Sequence, residues 1–253
     1  MKQPLIMIIG CLALMASACT RPHYGLDSSA KGKFASLPGS LELEIVQFGI
    51  NRNHDQKLMT YAIVNGDLLL KTTKTCIWPN VDACYFSHSK QYIGFPENTR
   101  YEKTPVVAPK GLPEVRDHQY IGPFSVSPDS SFALMSITPA SYRWPDGEYP
   151  MDVALIEMGT KNIVFQTKDN NIRHLVTDVA WSPDSKLFAV LSRSSERYHG
   201  PLGIIGNLLG HPVDKYTYYL SIYGRKDNLL VQSTVAYGLL TGWGNIRFSS
   251  WKS

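Results

Sequence analysis

Residues 179–192 read VAWSPDSKLFAVLS, and residues 124–137 read FSVSPDSSFALMSI. In each, an apolar run ends at Ser-Pro-Asp-Ser and a second apolar run opens two residues later. Proline presets its own φ for a turn, and aspartate and serine side chains bond the amides that follow, so the motif closes two antiparallel strands. The corners are Ser127, Pro128 and Asp129 in one copy and Ser182, Pro183 and Asp184 in the other. Weaker copies stand at CYFSHSKQYIGF, Cys84 to Phe95, and NIRFSSW, Asn245 to Trp251. A motif recurring at irregular intervals, with other strands between, marks a repeat architecture.

Working outward, the segments LELEIVQF, LMTYAIV, DLLLKTT, QYIGF, FALMSI, MDVALIEM, NIVFQT, LFAVLS, YTYYLSIY and NLLVQSTV alternate with a period of two or are rich in branched and aromatic residues. These are strand signals. They are joined by turn chemistry: Asn65-Gly66, Gly159, and Gly224 to Asp227. No long amphipathic helix is signalled. The chain reads as all-β.

Strand, Ser-Pro-Asp-Ser, strand resembles the WD40-like repeat of periplasmic β-propellers of the TolB type, whose usual form is Trp-Ser-Pro-Asp-Gly-Lys. Trp181 to Lys186 carries the resemblance best, and Val126 to Ser131 next. It implies a propeller-like domain over residues 41–253, of four or five blades, complete or incomplete, each blade an antiparallel meander. The Ser-Pro-Asp and glycine turns would then share one face and the long loops the other.

The N-terminus, MKQPLIMIIGCLALMASACT, has one positive charge at Lys2, an apolar run from Leu5 to Met15, and small residues before Cys19. This predicts a signal peptide over residues 1–18, too short in its apolar run for the roughly 20 residues of a membrane-spanning helix. Small residues ending in cysteine resemble the lipobox of bacterial lipoproteins. That resemblance implies lipidation of Cys19 and, with Thr20 following it, an outer-membrane lipoprotein facing the periplasm or the cell surface. Ala16 and Ala18 also fit an ordinary Ala-x-Ala cleavage site, which would release a soluble form. Residues 19–40 are small and polar and predict a flexible tether with a typical reach of about 25 Å.

Of the four cysteines, Cys11 leaves with the signal peptide and Cys19 is committed to lipid. Cys76 and Cys84 remain in an oxidising compartment and predict a disulfide, worth roughly 2–3 kcal/mol across so short a loop. Zinc is the competing reading, and the pair lacks Cys-x-x-Cys spacing.

The long loops carry the residue types that dominate binding hot spots: Tyr142, Arg143, Trp144 and Tyr149 in one, Arg197, Tyr198 and His199 in another. The alternative is that they cap sheet edges and pack on one another. GPLGIIGNLLGHP, Gly200 to Pro212, bears Ile204, Ile205, Leu208 and Leu209, an apolar tip that docks on a partner, touches a membrane or folds back on the domain. Its glycines lack the Gly-Lys-Ser/Thr of a phosphate loop. The histidines show no metal spacing beyond His199 and His211 on one loop, so neither a metal nor a cofactor is expected. SSAK at Ser28 to Lys31 and SSWK at Ser249 to Lys252 match Ser-x-x-Lys only in spacing and read as solvated polar residues. With net charge +4 and scattered lysines and arginines, nucleic acid is not an expected partner.

The expectation is an envelope lipoprotein with a noncatalytic protein-binding or scaffold domain, partnered by envelope proteins and by the membrane through its lipid. Two alternatives stay open: a periplasmic hydrolase of glycans or peptides with its site on the long-loop face, and a structural subunit of an envelope assembly.

Overall fold

A computed structural model describes residues 22–48, 56–76, 92–93, 118–139, 152–167, 174–200, 203–204, 208, 214–226, 229–239 and 246–253. Among them the chain is almost wholly β, with fourteen strands and a five-residue helix, α1 (Lys31–Ala35), besides helical backbone at Gly203–Ile204 and Leu208. Three antiparallel sheets result.

The first sheet joins the two ends of the chain. Strands β2 (Ser40–Phe48), β3 (Gln56–Val64) and β4 (Asp67–Cys76) form a meander, and β14 (Ile246–Lys252) pairs with β2 to give the order β14-β2-β3-β4. The second sheet holds β5 (Tyr92–Ile93), β6 (His118–Val126), β7 (Phe132–Pro139), β8 (Asp152–Glu157) and β9 (Ile163–Gln166) in sequence order. The third runs β1 (His23–Tyr24), β13 (Leu229–Leu239), β12 (Asp214–Gly224), β11 (Leu187–Arg197), β10 (His174–Trp181). Each of the ten segments expected to be strands falls on a strand where its residues are described, although of QYIGF only Tyr92–Ile93 is described.

The third sheet is buried on both faces. Successive strand side chains point to opposite faces, and β10 and β11 use both. Val179, Trp181, Phe188 and Val190 pack with Leu134, Val153 and Leu155 of the second sheet. Ala180, Ala189 and Leu191 pack with Leu41, Leu43, Ile45, Ile246 and Phe248 of the first. β10 accordingly touches β6, β7 and β14. The far face of the second sheet buries Ala133, Met135, Ile137, Ala154 and Ile156.

Asp178 holds β10 to β14. It is fully buried, next to a register shift in β10. Its Oδ2 accepts the main-chain N–H of Phe248 at 2.7 Å and its Oδ1 that of Val179 at 2.9 Å. A bulge leaves amides without ladder partners, and a buried unpaired amide is costly; here one carboxylate serves two of them.

From residue 22 onward the expected tether is not free. β1 pairs with β13, the Gly25 N–H donates to the Val235 carbonyl, and Asp27 exchanges hydrogen bonds with Ser233 and Thr234. Ala30 and Phe34 are buried in the core between the first and third sheets. Lys31 pairs with Asp67, and Lys33 Nζ donates to the Leu230 carbonyl. Glycine is required twice along this path. Gly66 (φ +80) and Gly39 (φ +76) adopt the left-handed region, and a Cβ at either would strike the Lys31 or Lys252 carbonyl. The segment is a clasp over two sheets. Its polar composition hides this because one phenylalanine and one alanine supply its buried anchors.

Candidate functional site

The strand registers give each sheet two unlike ends. Phe188 sits opposite Trp181 and Gly224 opposite Leu187, so the Ser182–Lys186 corner and the β12–β13 turn share one end of the third sheet. The Arg225 N–H donates to the Lys186 carbonyl there. In the second sheet Ala133 pairs with Val126 and Glu157 with Phe132, placing the Ser127–Ser131 corner likewise. The β3–β4 hairpin turns on Asn65 and Gly66, both at positive φ, as a two-residue hairpin favours.

The two Ser-Pro-Asp-Ser corners are near copies. Ser127 Oγ donates to Asp129 Oδ1 at 2.6 Å and accepts the Phe132 N–H at 3.0 Å, while Asp129 Oδ1 also accepts the Ser131 N–H at 3.0 Å. In the second copy Ser182 Oγ donates to Asp184 Oδ1 at 2.7 Å and accepts the Leu187 N–H at 2.9 Å, and Asp184 Oδ1 accepts the Lys186 N–H at 3.2 Å. These donors favour the charged carboxylate. The Ser127 hydroxyl, then Ser131, holds Asp129 well below the usual carboxylate range. The Ser182 hydroxyl, then the Lys186 amide, lowers Asp184.

The corners also bind each other. The Asp129 N–H donates to Ser185 Oγ at 3.1 Å, and the Trp181 indole N–H donates to the Ser125 carbonyl at 3.1 Å. Arg225 reaches across from the third sheet to Asp129 Oδ2 and Ser131 Oγ, each at 3.2 Å, with its guanidinium 3.9 Å from the centre of the Phe132 ring. The polar groups of the turn end are thus spent on holding sheets together.

The opposite end receives the long connections between β2 and β3, β7 and β8, and β11 and β12. Arg197 there pairs with Asp214 at 3.3 Å, across the base of the β11–β12 loop. Tyr198 is half-buried and His199 exposed. A Cβ at Gly200 would meet the Tyr198 ring and one at Gly203 the Tyr198 carbonyl, so the loop wraps that tyrosine with glycines, and the Ile204 N–H donates to the Gly200 carbonyl at 3.0 Å. Beyond this wrap Ile204 is 58% and Leu208 81% exposed.

Of the candidate site residues, Arg197, Tyr198 and His199 come together at this loop end. Tyr142, Arg143, Trp144 and Tyr149 lie outside the described residues, as do Cys19, Cys84, Ile205, Leu209 and His211. Cys76 is buried at the end of β4 and disulfide-bonded. The Ser-x-x-Lys look-alike at Ser249 is structural: Ser249 Oγ donates to Glu44, while Ser250 and Lys252 donate to Glu42. No group of three or more histidine, cysteine, aspartate or glutamate side chains able to hold a metal occurs among the described residues. No described helix is long and apolar enough to cross a membrane.

Sequence reasoning missed His23 and Tyr237, whose rings meet at 5.1 Å beside the loop end. It also missed Arg225. Nothing local marks these residues, because their partners lie on other strands.

These features define a class, an almost wholly β fold of stacked antiparallel meanders whose turn end is tied together by hydrogen bonds between sheets. No protein-family model matches the chain, and no curated protein is significantly similar to it.

Proposed function

We propose that this chain is a cell-envelope lipoprotein whose propeller-like domain binds a protein partner, without catalysing a reaction, through its loop end. The three described sheets are among its four or five blades, with β6, β10 and β14 as inner strands and β14 completing the blade begun by β2. Two corners of WD40-like, TolB-type sequence with near-identical hydrogen bonding support the repeat reading. The lipobox-like Cys19 supplies the anchor, and the outer membrane, facing periplasm or surface, is the location.

One observation carries the binding role: the base of the β11–β12 loop presents exposed Arg197 and His199 with half-buried Tyr198 between them, and arginine and aromatic side chains recur in binding hot spots. The turn end, in contrast, uses its arginine and aspartates internally.

A photoreactive residue at His199, compared in living cells with one at Lys226 on the turn end, tests this. Adducts with one envelope protein at His199 and none at Lys226 are expected. Equal labelling at both positions, or labelling at Lys226 alone, would refute a loop-end partner.

A further inference from the structure

We infer that the sector of the loop end formed by the third sheet lies against the lipid surface that holds the chain's own N-terminus, with Ile204 and Leu208 entering it. This rests on the lipoprotein reading and deepens it.

The short reach of the anchored N-terminus leads to this arrangement. His23 is paired with Tyr237, so the clasp is docked from its first strand onward. Only four chain steps separate Cys19 from His23, a span of at most about 14 Å. The pairing also fixes which end is near. Tyr237 sits opposite Thr217 on β12, three residues from Asp214, where the β11–β12 loop closes against Arg197. β12 lies two strand spacings from β1, roughly 10 Å. The turn end lies seven residues further along β12, at Gly224, roughly 23 Å from the level of His23. A leash that short brings the loop end to the lipid and leaves the turn end outside its reach.

The chemistry of this sector agrees. Among the described residues of its loop, Ile204 and Leu208 are exposed apolar groups. The same end of the third sheet carries Tyr237, 43% exposed against the His23 ring, and half-exposed Lys215. Tyrosine is enriched at membrane interfaces, and cationic side chains are drawn to anionic headgroups. The domain is therefore seated on its membrane, not held clear of it, and a partner of the remaining loop end is met at the bilayer surface.

The test uses the full-length protein purified from its envelope and reconstituted in vesicles of phosphatidylethanolamine and phosphatidylglycerol. An environment-sensitive fluorophore is placed on Leu208→Cys or on Lys226→Cys, and the mass of the mature N-terminus is measured. Expected are an acylated Cys19, blue-shifted emission at position 208, and quenching by lipid-borne spin labels several-fold stronger there than at position 226. Acylated Cys19 with equal, weak quenching at both positions would overturn the seating and leave the lipoprotein reading intact; that is also the result if the apolar tip takes a protein instead. An unmodified mature N-terminus would remove the anchor and overturn both.

Discussion

The main-chain N–H of Asp129 donates to the side-chain oxygen of Ser185, a residue of the equivalent corner in the neighbouring sheet. Ser130 and Ser185 occupy the same place in the two corners, both at positive φ, +57 and +59. The repeat that these corners resemble carries glycine at that place, which suits a left-handed backbone. Two serines in one conformation thus differ in one respect: Ser185 is buried and serves the next corner, whereas Ser130 is exposed.

This difference is measurable. Ser130→Gly relieves left-handed strain and should stabilise the protein by about 0.5–1 kcal/mol. Ser185→Gly gains the same relief but forfeits the acceptor of the Asp129 amide, so it should fall below Ser130→Gly by about 1 kcal/mol in urea denaturation. Equal effects would show that the contact between corners adds nothing.

Asp178→Asn keeps the size of the side chain and removes one acceptor. Either the Phe248 or the Val179 amide then faces an NH2 group in a dry site, at a cost of about 1–3 kcal/mol. The loss should appear in the unfolding midpoint, and amide exchange of Phe248 or Val179 should quicken.

The corners impose a pH dependence with a definite sign. In the unfolded chain Asp129 and Asp184 titrate near 3.8, and both are lowered in the folded state, so in acid the unfolded chain binds more protons. The corner contribution is complete above the unfolded value and is lost as pH falls below it. Between about pH 6 and about pH 3 the wild-type urea midpoint should therefore drop further than that of Asp129→Asn/Asp184→Asn. Parallel declines would place the acid sensitivity elsewhere.

Phe34 is the chief apolar anchor of the clasp, 3% exposed between two sheets. Phe34→Ala should cost about 3–5 kcal/mol and open the segment around α1 to limited proteolysis. Leu208→Ala, at an exposed position, should stay within about 0.5 kcal/mol. A Phe34→Ala protein as stable and protease-resistant as wild type would mean that the clasp is ornamental.

Local features are legible in the order of the residues alone. Alternation over Leu41 to Ile45 appears as a buried stripe of Leu41, Leu43 and Ile45; Asn65-Gly66 forms its hairpin; and the twin Ser-Pro-Asp-Ser corners fold alike. Each is settled by residues within a turn or a strand of one another. The clasp, expected as a tether, and the gathering of the strands into three sheets are not legible in that way. Asp27 finds Ser233, and β2 finds β14, across some two hundred residues, and no short pattern encodes such distance.

By itself, then, the sequence determined that the described elements would be almost wholly β, where they would turn, and which side chains the loops would carry. The tertiary structure alone decided that the segments from residue 22 and from residue 246 close onto the sheets, that Asp178 serves β10 and β14 together, and that His23 and the base of the β11–β12 loop lie toward one end. The reason is physical: backbone preferences and side-chain period act over a few residues, whereas the pairing of distant segments depends on which apolar faces and unpaired amides remain to be satisfied once the strands have formed.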